Sequence, residues 1–338
     1  MIKIFNVPYA NLFSDSESYS DDGKFMFSCK NRAWLDSDWL TVGDNSYACF
    51  YTNIPRERRI LFVMEPPEIR KYEAYPYYLE QFGTIVSPFE FSGYSGNLII
   101  SNPRLSWFAG RTLGINSIKA ALNYQPPEKV KCLSMVSSLK HKAKYHRIRS
   151  AFMFKAQKEF GNLIDCFGRD TNPVNDKLDA IAPYKYHITI ENSRHANYWT
   201  EKLTDAWLGW ALPIYCGDPT ILEQIPDKRG IELIDVDDVE GSLRKLHEIV
   251  DDDIYYSRLD AIKTCREWAI VTSSRLEITR KIIETSNDKT PRLEHPELFK
   301  RMLSSRKNYA YKILYRISAT FADRVYVNYC RSRKRIWE

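Results

Sequence analysis

At 338 residues, with 44% apolar and 27% charged side chains, the chain is long for one domain and sufficient for two, each able to bury its own core. It holds no run of about 18 apolar residues, so no transmembrane helix is expected. The net charge of +6 is uneven: residues from Lys300 onward carry +9 and the first 299 carry −3, which argues against a basic nucleic-acid groove running through the fold.

The start, MIKIFNVPYANLF, has one early lysine but neither a long apolar core nor a small-residue cleavage site. A secretory signal is therefore not expected, and a cytoplasmic chain is. The seven cysteines, at 29, 49, 132, 166, 216, 265 and 330, form no CxxC pair and no zinc spacing, and read as buried thiols in a reducing compartment.

In chain order, IKIFNV, YACFYT, RRILFVME, GTIVSPF and NLIIS are the strands of a first α/β unit ending near residue 125. NYQPPEKV supplies a proline-containing polar connection. Beyond it VKCLSMVSS reads as a strand, HRIRSAFMFKAQKEF as a helix, and LIDCFG and YKYHITIEN as strands. The helix WTEKLTDAWLGWA, the strands LPIYCG and IELIDV, and the helix VEGSLRKLHEIV complete the pattern. Such alternation implies a mostly parallel sheet wrapped by helices, with ligands outside the carboxyl ends of its strands.

The strand ending at Glu191, Asn192 and Ser193 is followed by a polar aromatic loop and a helix for which Thr200 is a natural N-cap. Free N–H groups, the positive helix end and Lys202 make an anion site that suits a phosphate. On spacing alone the same residues serve equally as a turn and a solvated helix face.

The stretch YKYHITIENSRHANYWTEKLTDAWLGWALPIYCGDP resembles the C-terminal signature of the α-1,3/4-fucosyltransferases, glycosyltransferase family ten. There, a strand ends in ENS, a tyrosine and TEK follow, and a G-x-x-P-[IV]-x-x-G segment closes the motif. Upstream, LIDCFGRDTNPVNDKLDAIAPYKYHI and SSLKHKAKYHRIRSAF are also similar to the family. In the first domain the likeness is confined mainly to LFVMEPPE, and Trp199 stands where the family usually has Ile or Val.

The resemblance implies an α/β GT-B glycosyltransferase of two Rossmann-like domains facing across a cleft. Residues 1–125 would bind the acceptor, 126–298 would bind the GDP-sugar donor, and 299–338 would form a basic helical tail. It implies inverting transfer of L-fucose from GDP-fucose to a glycan hydroxyl, in an α-1,3 type linkage, without a required cofactor or metal. A lipid-linked or cell-surface polysaccharide is the acceptor class expected.

Carried over residue by residue, Arg149 clamps the diphosphate and Lys202 lies at its oxygens, guanidinium being suited to bidentate phosphate contact. Glu201 accepts hydroxyl hydrogen bonds from ribose or fucose, and Asn192, Ser193 and Tyr198 surround the same diphosphate. A solvent-facing position remains the alternative for Arg149. The general base expected is Glu65, at the end of RRILFVME and held by two prolines; Glu68 is the alternative, and a surface salt bridge with Arg70 or Lys71 is the bland reading.

DSD at 36–38 and DVDD at 235–238 match the Asp-x-Asp metal pattern but are common in acidic turns. His187, inside a strand, reads as packed. From Phe299 the stripe of Phe299, Leu303, Ala310, Ile313, Leu314, Ile317 and Phe321 forms a rough amphipathic helix suited to an anionic membrane; a helix packed back on the first domain is the alternative. Other function classes left open are another GDP-sugar donor in the same fold, a relic that binds without turnover, and a nucleic-acid or membrane binder acting through the tail, although no nucleic-acid partner is expected.

Overall fold

The computed structural model describes residues 1–7, 17–20, 22–46, 48–139, 144–302, 319–333 and 335–337. The chain forms two units, one of residues 1–100 and 279–338 and one of residues 101–278.

In the first unit, strands β1 (Ile2–Asn6), β2 (Glu17–Tyr19), β3 (Phe25–Ser28), β4 (Trp39–Gly43), β5 (Cys49–Thr52), β6 (Arg59–Phe62), β7 (Thr84–Ser87) and β8 (Asn97–Ile100) follow one another. Seven of them form a sheet in the order β2-β3-β1-β4-β6-β7-β8, parallel except for the β2–β3 pair. Its core gathers Phe5, Trp34, Leu40, Leu61, Tyr78 and Phe82, large side chains that remove much apolar area from water.

The second unit carries β9 (Lys131–Val136), β10 (Ile164–Phe167), β11 (Tyr184–Ile190), β12 (Leu212–Cys216) and β13 (Glu232–Leu233) in the order β10-β9-β11-β12-β13. All four pairings are parallel. The central strand β11 is buried along most of its length, as expected where helices cover both faces. The helix at Lys144–Phe160 buries Arg149, Met153, Ala156 and Phe160, one face at helical spacing. The helix at Glu201–Leu208 starts at Thr200, whose hydroxyl accepts from the Lys202 amide, and the helices at Val239–Asp251 and Leu259–Thr272 complete the cover. Each of the two units is thus an α/β fold on its own mostly parallel sheet.

The division differs from the sequence expectation at both ends of the second unit. Trp107, Ala109, Ile115 and Ala121 pack with Leu178, Leu208 and Ile270, so the chain enters this unit after Ile100 and not near residue 125. Residues from Thr279 return to the first unit, where Phe299 stacks on Phe50 at 4.9 Å. The strand read in YACFYT forms, but in a separate three-stranded sheet, β5 between β14 (Glu297–Phe299) and β15 (Ile336–Trp337).

The tail expectation changes accordingly. Leu303, Ala310, Ile313, Leu314 and Ile317 lie outside the described residues, as does the side chain of Phe321. Phe299 is a buried strand residue. The helix Ala319–Ser332 buries Ala322, Tyr326 and Cys330 against Cys49, with the two sulfurs 3.2 Å apart. It packs within its own unit, because strand β5 needs a cover on that face.

Candidate donor site

In the second unit the strand order places β9 at the start, β10 on one side and β11 on the other, so the topology reverses between β9 and β11. Ligands of open α/β sheets bind at that switch point, beyond the carboxyl ends of the strands. Arg149 spans it. Its Nε donates to Ser137 Oγ, just past β9, at 3.1 Å, and another guanidinium nitrogen donates to the Ile190 carbonyl at the end of β11 at 3.4 Å. The side chain is 6% exposed, which overturns the solvent-facing alternative.

Small residues make room at the neighbouring strand ends. A Cβ on Gly168, after β10, would stand 2.0 Å from the Ser137 carbonyl oxygen. One on Gly217, after β12, would stand 2.2 Å from the Tyr215 hydroxyl and 2.7 Å from Glu191 Cγ. Neither position accepts a side chain without displacing the residues that hold Arg149 or Glu191.

Glu191 is 1% exposed, and a carboxylate so buried requires compensating partners. It accepts from the Thr200 amide at 2.8 Å and from the Thr200 hydroxyl at 2.8 and 2.9 Å. Lys202 Nζ donates to it at 3.0 Å. That ammonium also donates to Thr200 Oγ1 at 2.8 Å and to Glu201 Oε1 at 3.3 Å, so each of its three N–H donors has an oxygen. Tyr198, buried, donates its hydroxyl to Asn192 Oδ1 at 3.0 Å. Ser193 is buried and Asn192 half-buried.

The electrostatics follow from these contacts. For Lys202, burial opposes the charge most strongly, but Glu191 and Glu201 outweigh it and hold the ammonium above the ordinary lysine value. For Glu201, burial pushes upward, yet Lys202 and Lys177 keep the carboxyl below its ordinary value. Burial lowers Arg149, against the pull of Glu191 and Glu201. At neutral pH the site therefore presents fixed ions and the N-terminus of an eight-residue helix, a combination that binds phosphate.

Residues 126–277 match the family described as glycosyltransferase family 10 (fucosyltransferase), C-terminal part. Residues 126–277 belong to glycosyltransferase family 10. The chain is 31% identical over 62 residues to the α-(1,3)-fucosyltransferase FucT of Helicobacter pylori, covering 18% of this chain and 13% of that protein. It is 26% identical over 140 residues to the human 3-galactosyl-N-acetylglucosaminide 4-α-L-fucosyltransferase, covering 35% and 38%. The chain thus spans well under half the length of the curated relatives it matches. A solved α1,3-fucosyltransferase with GDP-fucose aligns with 87% of this chain and 93% of its own at 12% identity and a TM-score of 0.49.

Within the family 10 region the structure brings Arg149, Glu201 and Lys202 around Glu191, and Asn192 to Tyr198. The sequence assigns Glu191 no role; its signal there is a carboxylate at a strand end nine residues before an N-cap threonine. Ser137, Gly168 and Gly217 join only through the sheet and had no local signature. Lys177 belongs to the same neighbourhood through Asp205, its Nζ 2.6 Å from Asp205 Oδ2.

The acidic triplets have other employment. Asp38 accepts the Lys3 amide at 2.8 Å. Asp235 and Asp237 pair with Arg194 at 2.8 and 3.2 Å, and Asp238 caps the helix Val239–Asp251. Among the described residues no group of three or more His, Cys, Asp or Glu side chains converges as a metal site. His187 is buried and shares a hydrogen bond with Ser134 Oγ, 2.8 Å from Nδ1.

In the first unit, β6 ends at Phe62, so Glu65 does not end the strand but stands three residues beyond it. The Met64 and Glu65 amides donate to Asp44 Oδ1 at 2.7 and 3.2 Å. Asp44 is itself approached by the Tyr72 hydroxyl. The turn that follows is closed by the Ile69 and Arg70 amides on the Pro66 carbonyl. Glu65 is half-buried and Glu68 exposed. The prolines thus shape a tethered turn, and of the two acids Glu65 has the backbone held by Asp44.

Proposed function

We propose that this chain is an inverting fucosyltransferase that moves L-fucose from GDP-fucose to a hydroxyl of a glycan acceptor in an α-1,3 type linkage. The observation that carries the reading is the clustering of Arg149, Glu191, Glu201 and Lys202 at the switch point of a family 10 region. Names of relatives from Helicobacter pylori and Mus musculus, both α-(1,3)-fucosyltransferases, support the linkage.

Inverting transfer makes three demands: removal of the acceptor proton, an in-line arrangement, and neutralisation of the departing diphosphate. Arg149 and Lys202 meet the last, aided by the amides at the start of the helix after Thr200. Asn192, Ser193 and Tyr198 add neutral polar contacts to the diphosphate, and Glu201 accepts hydroxyls of ribose or sugar. Glu65 is the general base, with Glu68 the nearby alternative.

The phosphate contacts do not report the sugar, so a different GDP-sugar donor is the second reading. We place the protein in the cytoplasm, acting on a lipid-linked or cell-surface polysaccharide at the inner membrane face. Arg324, Arg331 and Arg333 are exposed on or beside the last helix, where cations attract anionic lipid. No described helix is long and apolar enough to cross a membrane. Co-sedimentation with anionic liposomes, lost when these arginines become glutamine, tests that placement.

The decisive experiment is a thermal-shift screen, because a ligand that binds only the folded state raises its melting temperature. GDP and GDP-fucose are expected to stabilise the protein, and UDP, CMP and ADP-sugars much less. Equal stabilisation by UDP sinks the proposal; stabilisation by several GDP-sugars with turnover of another sugar selects the second reading.

A further inference from the structure

Lys202 has two carboxylate partners, and they differ in kind. Glu191 is almost wholly enclosed, accepts from the Thr200 amide and hydroxyl as well as from Lys202, and has its stem against Gly217. Glu201 touches the same ammonium at 3.3 Å and is 12% exposed. A ligand approaching from solvent can displace the second contact while the first stays enclosed. All three donors of Lys202 already have acceptors, so a bound anion must take the place of one of them.

We propose that Glu191 is a positioning residue: seated against Gly217 and tied to Thr200, it fixes the Lys202 ammonium at the switch point, while Glu201 is the partner that an entering diphosphate displaces. The inference rests on the reading of this site as the donor's. It assigns Glu191 no contact with substrate. Its effect is exerted through Lys202, by holding the charge in place and keeping it protonated in a half-enclosed setting that burial alone would make unfavourable.

The charged and titratable groups around the ammonium come from every element packed there. Glu191 lies beyond β11, Glu201 is adjacent on the same helix, and Arg149 comes from the helix Lys144–Phe160. Lys177 and Asp205 lie behind Glu201, and Tyr215 and Asp218 lie behind Glu191. Burial and Arg149 oppose protonation of Lys202, leaving Glu191 and Glu201 to sustain it. Once Glu201 is displaced by a ligand, Glu191 is the residual protein carboxylate in contact.

The test reads Lys202 directly. Competitive labelling of the ligand-free protein with acetic anhydride across pH, followed by mass spectrometry, gives the midpoint of Lys202 reactivity. In Glu191→Gln, which keeps size and hydrogen bonding but removes the charge, the midpoint is expected to fall by about one pH unit or more, a tenfold change in the ionisation constant. GDP affinity in the variant is then expected to begin its alkaline decline about one pH unit lower than in wild type. A purely structural role lowers affinity equally at all pH and leaves the labelling midpoint in place, which overturns the proposal. Should Glu191→Gln fail to fold, Gly217→Ala provides the same readout by pushing on the Glu191 stem, and an unmoved midpoint there overturns it too. If wild type binds no GDP, the donor reading falls, and the labelling midpoint still decides what Glu191 does.

Discussion

Lys177 Nζ stands 2.6 Å from Asp205 Oδ2, and the other oxygen of that fully buried carboxylate accepts the amides of Phe108 and Ala109 at 2.6 and 2.9 Å. Burial raises the Asp205 pKa, against the lowering influence of Lys177. One side chain thus ties the segment entering the second unit to the helix that carries Glu201 and Lys202. Asp205→Ala leaves Lys177 without its acceptor and two amides unpaired, and is expected to destabilise this unit by about 3 kcal/mol, as when one partner of a buried pair is removed. Urea denaturation measures it; a change below about 1 kcal/mol, the range of surface pairs, contradicts the role.

Arg149→Lys keeps a charge but cannot reach Ser137 Oγ and the Ile190 carbonyl with one planar group. It is expected to lower kcat by about a hundredfold or more, the range for a lost electrostatic donor. Steady-state transfer assays provide the comparison, and activity is expected to persist in EDTA. A strict need for added divalent metal counts against charge neutralisation by Arg149 and Lys202.

Glu65→Gln retains size and hydrogen bonding but accepts no proton. Transfer is expected to fall by about 10²–10⁴-fold, the general-base contribution, with GDP affinity nearly unchanged. Glu68→Gln is expected to be much milder, since Glu68 is exposed on the turn that follows. Paired kinetics and calorimetric GDP titrations separate the two; the reverse ranking moves the base three residues along.

His187 supplies a pH dependence. Burial, reinforced by Lys177 and Lys129, lowers its pKa from 6.5 to about 3. Between these values the unfolded chain binds a proton that the folded protein does not, so stability is full above pH 6.5 and declines as pH falls toward 3. His187→Gln, neutral throughout, is expected to have a shallower acid limb of Tm against pH. Parallel limbs for the two proteins show that His187 does not carry the effect.

The sequence alone determined the periodic parts of this protein. Strand β11, the helix after Thr200 and strand β12 were legible because apolar runs, an N-cap threonine and a strand-ending ENS are local signals, and the family resemblance added roles for Arg149 and Lys202. Strand β3 and strand β4 escaped because FMFS and WLTVG are short and have only a single 3-10 turn, Ala33–Leu35, between them. Only tertiary structure decided the unit boundaries: Trp107 and Phe299 each choose a core by packing with residues distant in sequence. It also decided that Glu191 is buried and shared between Thr200 and Lys202, and that Ser137, Gly168 and Gly217 meet at adjoining strand ends. The reason is physical: periodicity reports which face of an element is apolar, whereas the partners of a buried charge depend on how strand ends and loops meet, as when the sheet brings the Ile190 carbonyl to Arg149, 41 positions away.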